Sequence, residues 1–239
     1  MQKNILVIGG NSSIGQEVIK LANSQGDNVI ATSRSIIDIP LKNFIQLDPN
    51  DDLSGLDTLP DSIDALLYCP GSISLKSIQR MDISDVRDDF RINVEGAFNI
   101  IKKVLPNLKK DDGASVVFIS SVAAKNGMTF HSSIAASKAA LEGFARSLAS
   151  ELAPRVAINC VAPSLTNTPM AEHLLNNEKK LQSSEERHPL NTIGDPVKVA
   201  KVIYNLFSAK EDWITGQTIS IDGGPVSYTH LRAHETEAD

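Results

Sequence analysis

Cysteine is nearly absent from this 239-residue chain, which holds only Cys69 and Cys160. Both stand inside apolar runs and neither shows paired spacing. That excludes a disulfide framework and a zinc-type cluster, and predicts two buried free thiols in a reducing compartment. An excess of positive charge is missing as well. With 23 Lys and Arg against 29 Asp and Glu, the net charge is −6 and the pI about 5.4, so the broad basic face of a nucleic-acid binder is not available. No apolar run approaches the ~20 residues of a membrane span. The amino terminus, KNILVIGG, reads as a strand and not as a secretion signal. The expectation is a cytoplasmic protein that takes neither nucleic acid nor membrane as partner. Linkers and solenoid-period repeats are lacking too, which argues for one domain.

What is present suffices for a sizeable core, since 41% of the residues are hydrophobic and 22% charged, within the globular range. Short runs rich in Val, Ile and Leu alternate with segments of helical period, the pattern of strand–helix units around a parallel sheet. Strands are expected at Asn4 to Ile8, Asn28 to Thr32, Asn43 to Leu47, Ala65 to Tyr68, Ala114 to Ile119, Val156 to Val161 and Thr218 to Ile221. Being apolar on both faces, they predict a doubly wound, seven-stranded parallel α/β sheet with helices on both sides. Helices are expected at Ile14 to Ser24, Asp82 to Leu105, Ser132 to Leu152 and Pro196 to Ser208, the last with Asp195 as its cap and Pro196 at its first position. The Asp-rich stretch from Asp48 to Pro60 reads as a loop or a stunted helix, and the polar stretch from Thr166 to Glu186 as a cover over a site. Residues 1–224 form the expected domain. The remainder, 225–239, has no hydrophobic period and reads as an unstructured or non-native tail, with an interaction tail as the alternative.

The segment ILVIGGNSSIG sets a glycine-rich turn between the first strand and the first helix, where backbone amides and a helix N-terminus can meet a pyrophosphate. Gly9 and Gly15 permit tight turning, and Asn11, Ser12, Ser13 and Ile14 complete the turn. A merely tight strand–helix connection is the alternative. From this turn to Gly224 the chain resembles the short-chain dehydrogenases and reductases. The glycine turn TGxxxGxG appears as IGGNSSIG, NNAG as YCPG, the asparagine motif as INVEGAF and the serine segment as FISSVAA. IAASKAALEGF, VAPSLTNTPM and ITGQTISIDGG follow in order. Ser13 replaces the middle glycine of the turn, Tyr68, Cys69 and Pro70 replace the first three residues of NNAG, and Ile134 stands where the family keeps its catalytic tyrosine.

The resemblance implies a nicotinamide dinucleotide cofactor and a small carbonyl or alcohol substrate. At the end of the second strand an acidic residue would select NAD(H). This chain has Ser33 and Arg34, a hydroxyl and a guanidinium suited to a 2′-phosphate, which favours NADP(H); a solvated loop charge is the plain alternative for Arg34. By resemblance Asp48 approaches the adenine, Gly71 lines the cleft and Thr168 lies by the nicotinamide. Three of four catalytic positions match, Asn93, Ser121 and Lys138. A strand-end hydroxyl and a helix-surface charge are the plain readings of the last two. The missing proton donor has a candidate in His131, three residues before Ile134, on the same face if the helix already runs through it. Three roles stay open: an enzyme with another acid, a weakly active or inactive dinucleotide-binding sensor or partner subunit, and a purely structural relative. The resemblance also implies a homotetramer or homodimer built on the two long helices.

Overall fold

The computed structural model describes residues 2–110 and 113–225. Seven strands, β1 (Asn4–Ile8), β2 (Asn28–Ser33), β3 (Asn43–Gln46), β4 (Ala65–Tyr68), β5 (Ala114–Ile119), β6 (Val156–Pro163) and β7 (Thr218–Ile221), form one sheet in the order β3-β2-β1-β4-β5-β6-β7. Every pairing is parallel, as expected from strands apolar on both faces. Side chains alternate between two cores. Leu6 and Ile8 of β1 pack with Ile100, Val104, Leu141 and Ala145, whereas Ile5 and Val7 pack with Val18, Ile19, Val199 and Ile203. The chain runs from β1 to β2 and β3 on one side, then returns to β4 on the other. That reversal opens a crevice beyond the carboxyl ends of β1 and β4.

Helix α1 (Ser13–Ser24) starts where Ser12 Oγ accepts the Gly15 amide at 3.0 Å. The stretch from Asp48 to Pro60 holds a single 3-10 turn at Ser54–Thr58. The segment expected as one helix from Asp82 to Leu105 is helical without interruption from Ile83 to Lys109, as α2 (Ile83–Phe90) and α3 (Gly96–Lys109) running through a π-helical stretch at Arg91–Glu95 that keeps helical φ and ψ at both junctions. The cause lies in β4: the buried Tyr68 hydroxyl reaches in and donates to the Ile92 carbonyl at 2.6 Å, the kind of side-chain insertion that widens a helical turn. Helix α4 spans Ser132–Leu152. The polar stretch after β6 folds into a 3-10 turn at Pro169–Ala171 and short helices α5 (Glu172–Leu175) and α6 (Glu178–Glu186). In α7 (Pro196–Leu206) Asp195 accepts the Val197 amide at 2.9 Å and Pro196 opens the helix, as read from the sequence. Among the described residues no helix is long and apolar enough to cross a membrane. Of the expected tail, all but Pro225 lies outside the described residues.

Tyr68 leaves room for nothing larger than glycine opposite it. A Cβ on Gly96 would stand 2.3 Å from Tyr68 Oη and 3.1 Å from Pro49 Cβ. Gly96→Ala is therefore expected to destabilise the protein by ~1–3 kcal/mol, and adding Tyr68→Phe to relieve most of the steric part. Urea titration of the two variants checks this; a Gly96→Ala midpoint equal to the parent's would mean that the π-helical stretch yields freely.

Candidate active site

A cavity of about 1430 Å³ occupies the crevice at the carboxyl ends of the strands. Its walls bring together most of the residues singled out in the sequence: Gly9, Asn11, Ser12, Ser13 and Ile14 from the glycine turn, Ser33, Arg34 and Asp48 after the next strands, and Gly71, Ser121, His131, Ile134, Lys138 and Thr168 from the far half. Gly15 and Asn93 do not reach its surface. Gly15 lies buried under the turn, where a Cβ would stand 2.9 Å from both Gly9 O and Ser12 Oγ, and Gly9 holds φ +76, a conformation that favours glycine. Asn93 is buried behind Gly71.

At the α1 end, Ser12 takes the Gly15 amide through its hydroxyl and the Gln16 amide through its carbonyl. The preceding helix amides, those of Ser13 and Ile14, stand at the cavity wall, the arrangement that receives phosphate oxygens at a helix N-terminus. Arg34 is exposed on the wall and forms no ion pair among the described residues. Ser33 is buried at the cavity wall. Its hydroxyl donates to the Ser35 carbonyl, so its hydrogen is already committed within the loop and Arg34 is left as the phosphate donor of the two. Asp48 Oδ1 accepts the Asn50 amide at 2.9 Å, fixing the loop after β3.

The far half is built on the ends of β4 and β5 and on α4. Lys138 is no surface charge. It is buried at 5% exposure, and Nζ donates to the Ile119 carbonyl at 2.7 Å. Burial in apolar surroundings holds its pKa down to about 8, with Cys69, Cys160 and Asp89 pulling weakly the other way. Ser121 caps the 3-10 turn at Val122–Ala124, its hydroxyl oxygen accepting the Ala123 amide at 3.2 Å, which keeps the hydroxyl hydrogen available to the cavity. The π-helical stretch carries Asn93, whose amide nitrogen donates to Asp89 O at 2.8 Å and Ser137 Oγ at 3.3 Å. Its carbonyl oxygen is buried without a partner, and a Cβ on Gly71 would lie 3.6 Å from it and 3.4 Å from Lys138 Nζ. The bare glycine thus lies between the cleft and two polar groups, with the ammonium at the cavity wall and the amide oxygen buried behind it.

Ile134 is buried at 3% on the cavity wall, one helical turn before Lys138. His131 misses the condition set for it. Helix α4 begins at Ser132, and His131 precedes it with φ −101 and ψ 9, its Nδ1 2.7 Å from Thr129 O. It borders the cavity without continuing the face of Ile134 and Lys138. Three further polar groups were not singled out from the sequence. Asp89 is 2% exposed inside α2, with its carboxylate bonded by the hydroxyls of Ser72 and Ser133. Ser164 and His188 pair across the cavity rim, Oγ to Nε2 at 2.9 Å, either side of the polar stretch expected to cover a site. The two cysteines are buried free thiols, as expected, and burial pushes Cys69 up to about 11 and Cys160 up to about 12. Among the described residues no group of His, Cys, Asp and Glu is placed to hold a metal.

Residues 56–225 match the family described as enoyl-(acyl carrier protein) reductase. The 3-oxoacyl-(acyl-carrier-protein) reductase FabG of Thermotoga maritima is 32% identical over 242 residues, covering 94% of this chain and 98% of the relative. Among solved structures, the aldohexose dehydrogenase of Thermoplasma acidophilum superposes with a TM-score of 0.87 at 27% identity over 94% of both chains. The protein ElxO, solved with NADP bound, superposes at 0.85 and 26% identity, over 95% of this chain and all of the other. With the strand order, the crevice and its serine, lysine and asparagine already in place, these matches show that the chain belongs to the short-chain dehydrogenase/reductase family of oxidoreductases.

Proposed function

We propose that the protein is an NADP(H)-dependent oxidoreductase that interconverts a carbonyl and an alcohol on a small molecule. The observation that carries this reading is the Lys138 ammonium, buried at the cleft wall beside bare Gly71 and the unpartnered oxygen of Asn93. A buried cation is costly unless it is paired or hydrogen-bonded; among the described residues Lys138 has the Ile119 carbonyl for a partner, and hydroxyls of a ribose at the cavity wall would add to it. The glycine-turn amides suit the pyrophosphate, Asp48 the adenosine side, Thr168 the nicotinamide end, and Arg34 a 2′-phosphate, which supports NADP(H) over NAD(H). ElxO, with NADP bound in the same fold, supports the same choice.

The dinucleotide supplies hydride, and the chain must supply orientation and a proton. Ser121 steadies the substrate oxygen through its uncommitted hydroxyl hydrogen, and Asn93 holds a water through its carbonyl oxygen. Ile134 has no proton to give. The acid is therefore another group of this cavity, with His131, Ser121 and a water held by Lys138 and Asn93 as the members marked by the sequence. Relatives such as the Thermotoga reductase make 3-oxoacyl thioesters the first substrates to try. A homotetramer or homodimer through α3 and α4 belongs to this reading. It is supported by Phe98, half exposed and packed 6.2 Å from the ring of Phe144 between the two helices.

Fluorescence titration is expected to show NADPH bound at least ~10-fold more tightly than NADH, and Arg34→Ala to lose ~10- to 100-fold of NADPH affinity, the worth of a charge-assisted phosphate contact. Equal affinities, or a preference untouched in Arg34→Ala, reject the NADP(H) assignment. Oxidation of bound NADPH by a panel of 3-oxoacyl thioesters and small ketones tests the reaction. Tight NADPH binding without turnover on any carbonyl marks the chain instead as a dinucleotide-binding sensor or partner subunit.

A further inference from the structure

We infer that Ser164, backed by His188, delivers the proton that Ile134 cannot. This rests on the carbonyl–alcohol reading above. Ser164 is the first residue beyond β6, held there by its amide on Ile221 O at 3.1 Å. In the pairing of β5 with β6, Ile119 stands opposite Val161 and the Ser120 amide donates to Val161 O. Ser121 and Ser164 therefore leave neighbouring strands at the same end of the sheet, and both line the cavity that Ile134 and Lys138 line. Ser164 is half-buried and open to that cavity, whereas His188 is 4% exposed behind it.

The hydrogen-bond pattern fixes the tautomer. His188 Nδ1 lies 2.7 Å from the Ser184 carbonyl oxygen, which can only accept, so Nδ1 carries a hydrogen. In the neutral ring Nε2 then bears the lone pair, and the Ser164 hydroxyl, 2.9 Å away, donates to it. In the cationic ring the direction reverses: Nε2–H donates to Ser164 Oγ and frees the serine hydrogen for the cavity. A serine–histidine pair so oriented serves as a proton relay, and His188 packs against Gly223, whose added Cβ would stand 3.5 Å from His188 Cβ and Cδ2.

Among the described residues Ser121 keeps a free hydroxyl hydrogen but has no imidazole bonded to it to resupply the proton, and the other candidates are committed or lack backing. Lys138 Nζ donates to Ile119 O, and His131 stands outside α4 with no serine on its second nitrogen. In reduction, hydride from a reduced nicotinamide dinucleotide forms the new C–H bond while the carbonyl π pair moves to oxygen. That oxygen takes the Oγ hydrogen of Ser164, and Ser164 takes the Nε2 hydrogen of His188. One dinucleotide is oxidised, one proton is consumed, and neutral His188 is reprotonated from solvent.

The test uses the full chain with saturating NADPH and the best carbonyl of the panel. Ser164→Ala is expected to lower kcat ~100-fold, within the range of general acid catalysis, with KM and NADPH affinity nearly unchanged and Ser164→Thr retaining most activity. His188→Ala is expected to lose a similar factor and to recover part of it with added imidazole; should that variant fail to fold, Ser164→Ala decides. Independently of turnover, nitrogen NMR of neutral His188 is expected to show the hydrogen on Nδ1 and the lone pair on Nε2. A Ser164→Ala enzyme with parental kcat, a hydrogen on Nε2 and none on Nδ1 in the neutral ring, or a comparable loss in His131→Ala with Ser164→Ala silent overturns the inference and leaves the reductase reading standing. A parent chain that binds NADPH but reduces no carbonyl overturns the reductase reading, and the relay with it.

Discussion

Ile134→Tyr is expected to return ~10²-fold or more of turnover to the Ser164→Ala enzyme, the contribution typical of a general acid, and to add much less to the parent. Ile134 is buried on the cavity wall one turn before Lys138, so a phenol built there extends into the 1430 Å³ of open cleft and not into packed core. Its hydroxyl would enter the field of the Lys138 ammonium, which favours the phenolate and brings the phenol toward the working pH. In the parent the serine–histidine pair already delivers the proton, so a second donor in parallel gains little. The two positions should therefore be strongly non-additive, as expected of groups that share one task. Steady-state rates for the four combinations at saturating NADPH decide the matter. If Ile134→Tyr is inert in both backgrounds, the side chain at 134 does not face the reacting oxygen and the placement of the site on α4 is wrong.

How far the sequence reaches is seen in which of these residues it marks. The strands were legible because a parallel sheet covered on both sides needs unbroken apolar runs, and β1, β4 and β5 are such runs, buried along most of their length. The meeting of the glycine turn, Ser121 and Lys138 at one cavity was legible because their places follow from local geometry: a turn that must close tightly, a strand end, a helix face. The π-helical stretch between α2 and α3 was not, because Tyr68, a residue of another element, reaches it through one hydrogen bond to Ile92. Asp89 reads as one more solvated charge of an acidic helix, and only the approach of Ser72 and Ser133 from elsewhere shows it as buried. Ser164 and His188 lie 24 residues apart, joined by a polar stretch whose helices have weak apolar faces. Their meeting depends on the path of α6, for which no periodicity speaks. Ser33 lines the cavity, and the bond of its hydroxyl to the Ser35 carbonyl is a contact of the local loop that its residue type does not foretell.

Lys138→Met is expected to remove a pH dependence of stability that the parent owes to this one buried amine. Burial lowers the lysine pKa from 10.5 to about 8, so between those values the unfolded chain binds a proton that the folded chain does not, and stability rises with pH across the window. Below pH 8 both states are charged and the full penalty is present, on the order of 3 kcal/mol. Cys69 and Cys160 act in the opposite sense. Their pKa values are raised from 9.0 to about 11 and about 12, so their contribution is complete below pH 9 and fades as pH climbs toward those values. Lys138 lowers both thiol values, so its removal raises them further; at pH 10 both thiols already hold their protons in either folded protein, and the fading nearly cancels in the difference. Methionine leaves the Ile119 carbonyl without its donor, costing ~1–3 kcal/mol at every pH, which offsets much of the relief at neutral pH and adds no slope. Urea titrations at pH 7 and pH 10 should therefore show the parent gaining on the variant by on the order of 3 kcal/mol. Ligand binding offers the converse. A dinucleotide that favours the ammonium should raise the lysine pKa, so NADPH binding at pH 8 to 9 is expected to take up a proton in the parent and none in Lys138→Met, as read by calorimetry in buffers of different ionisation enthalpy. Parallel stability curves for the two proteins would show that Lys138 is solvated in the folded chain, and the buried ammonium that supports the cofactor assignment would be lost.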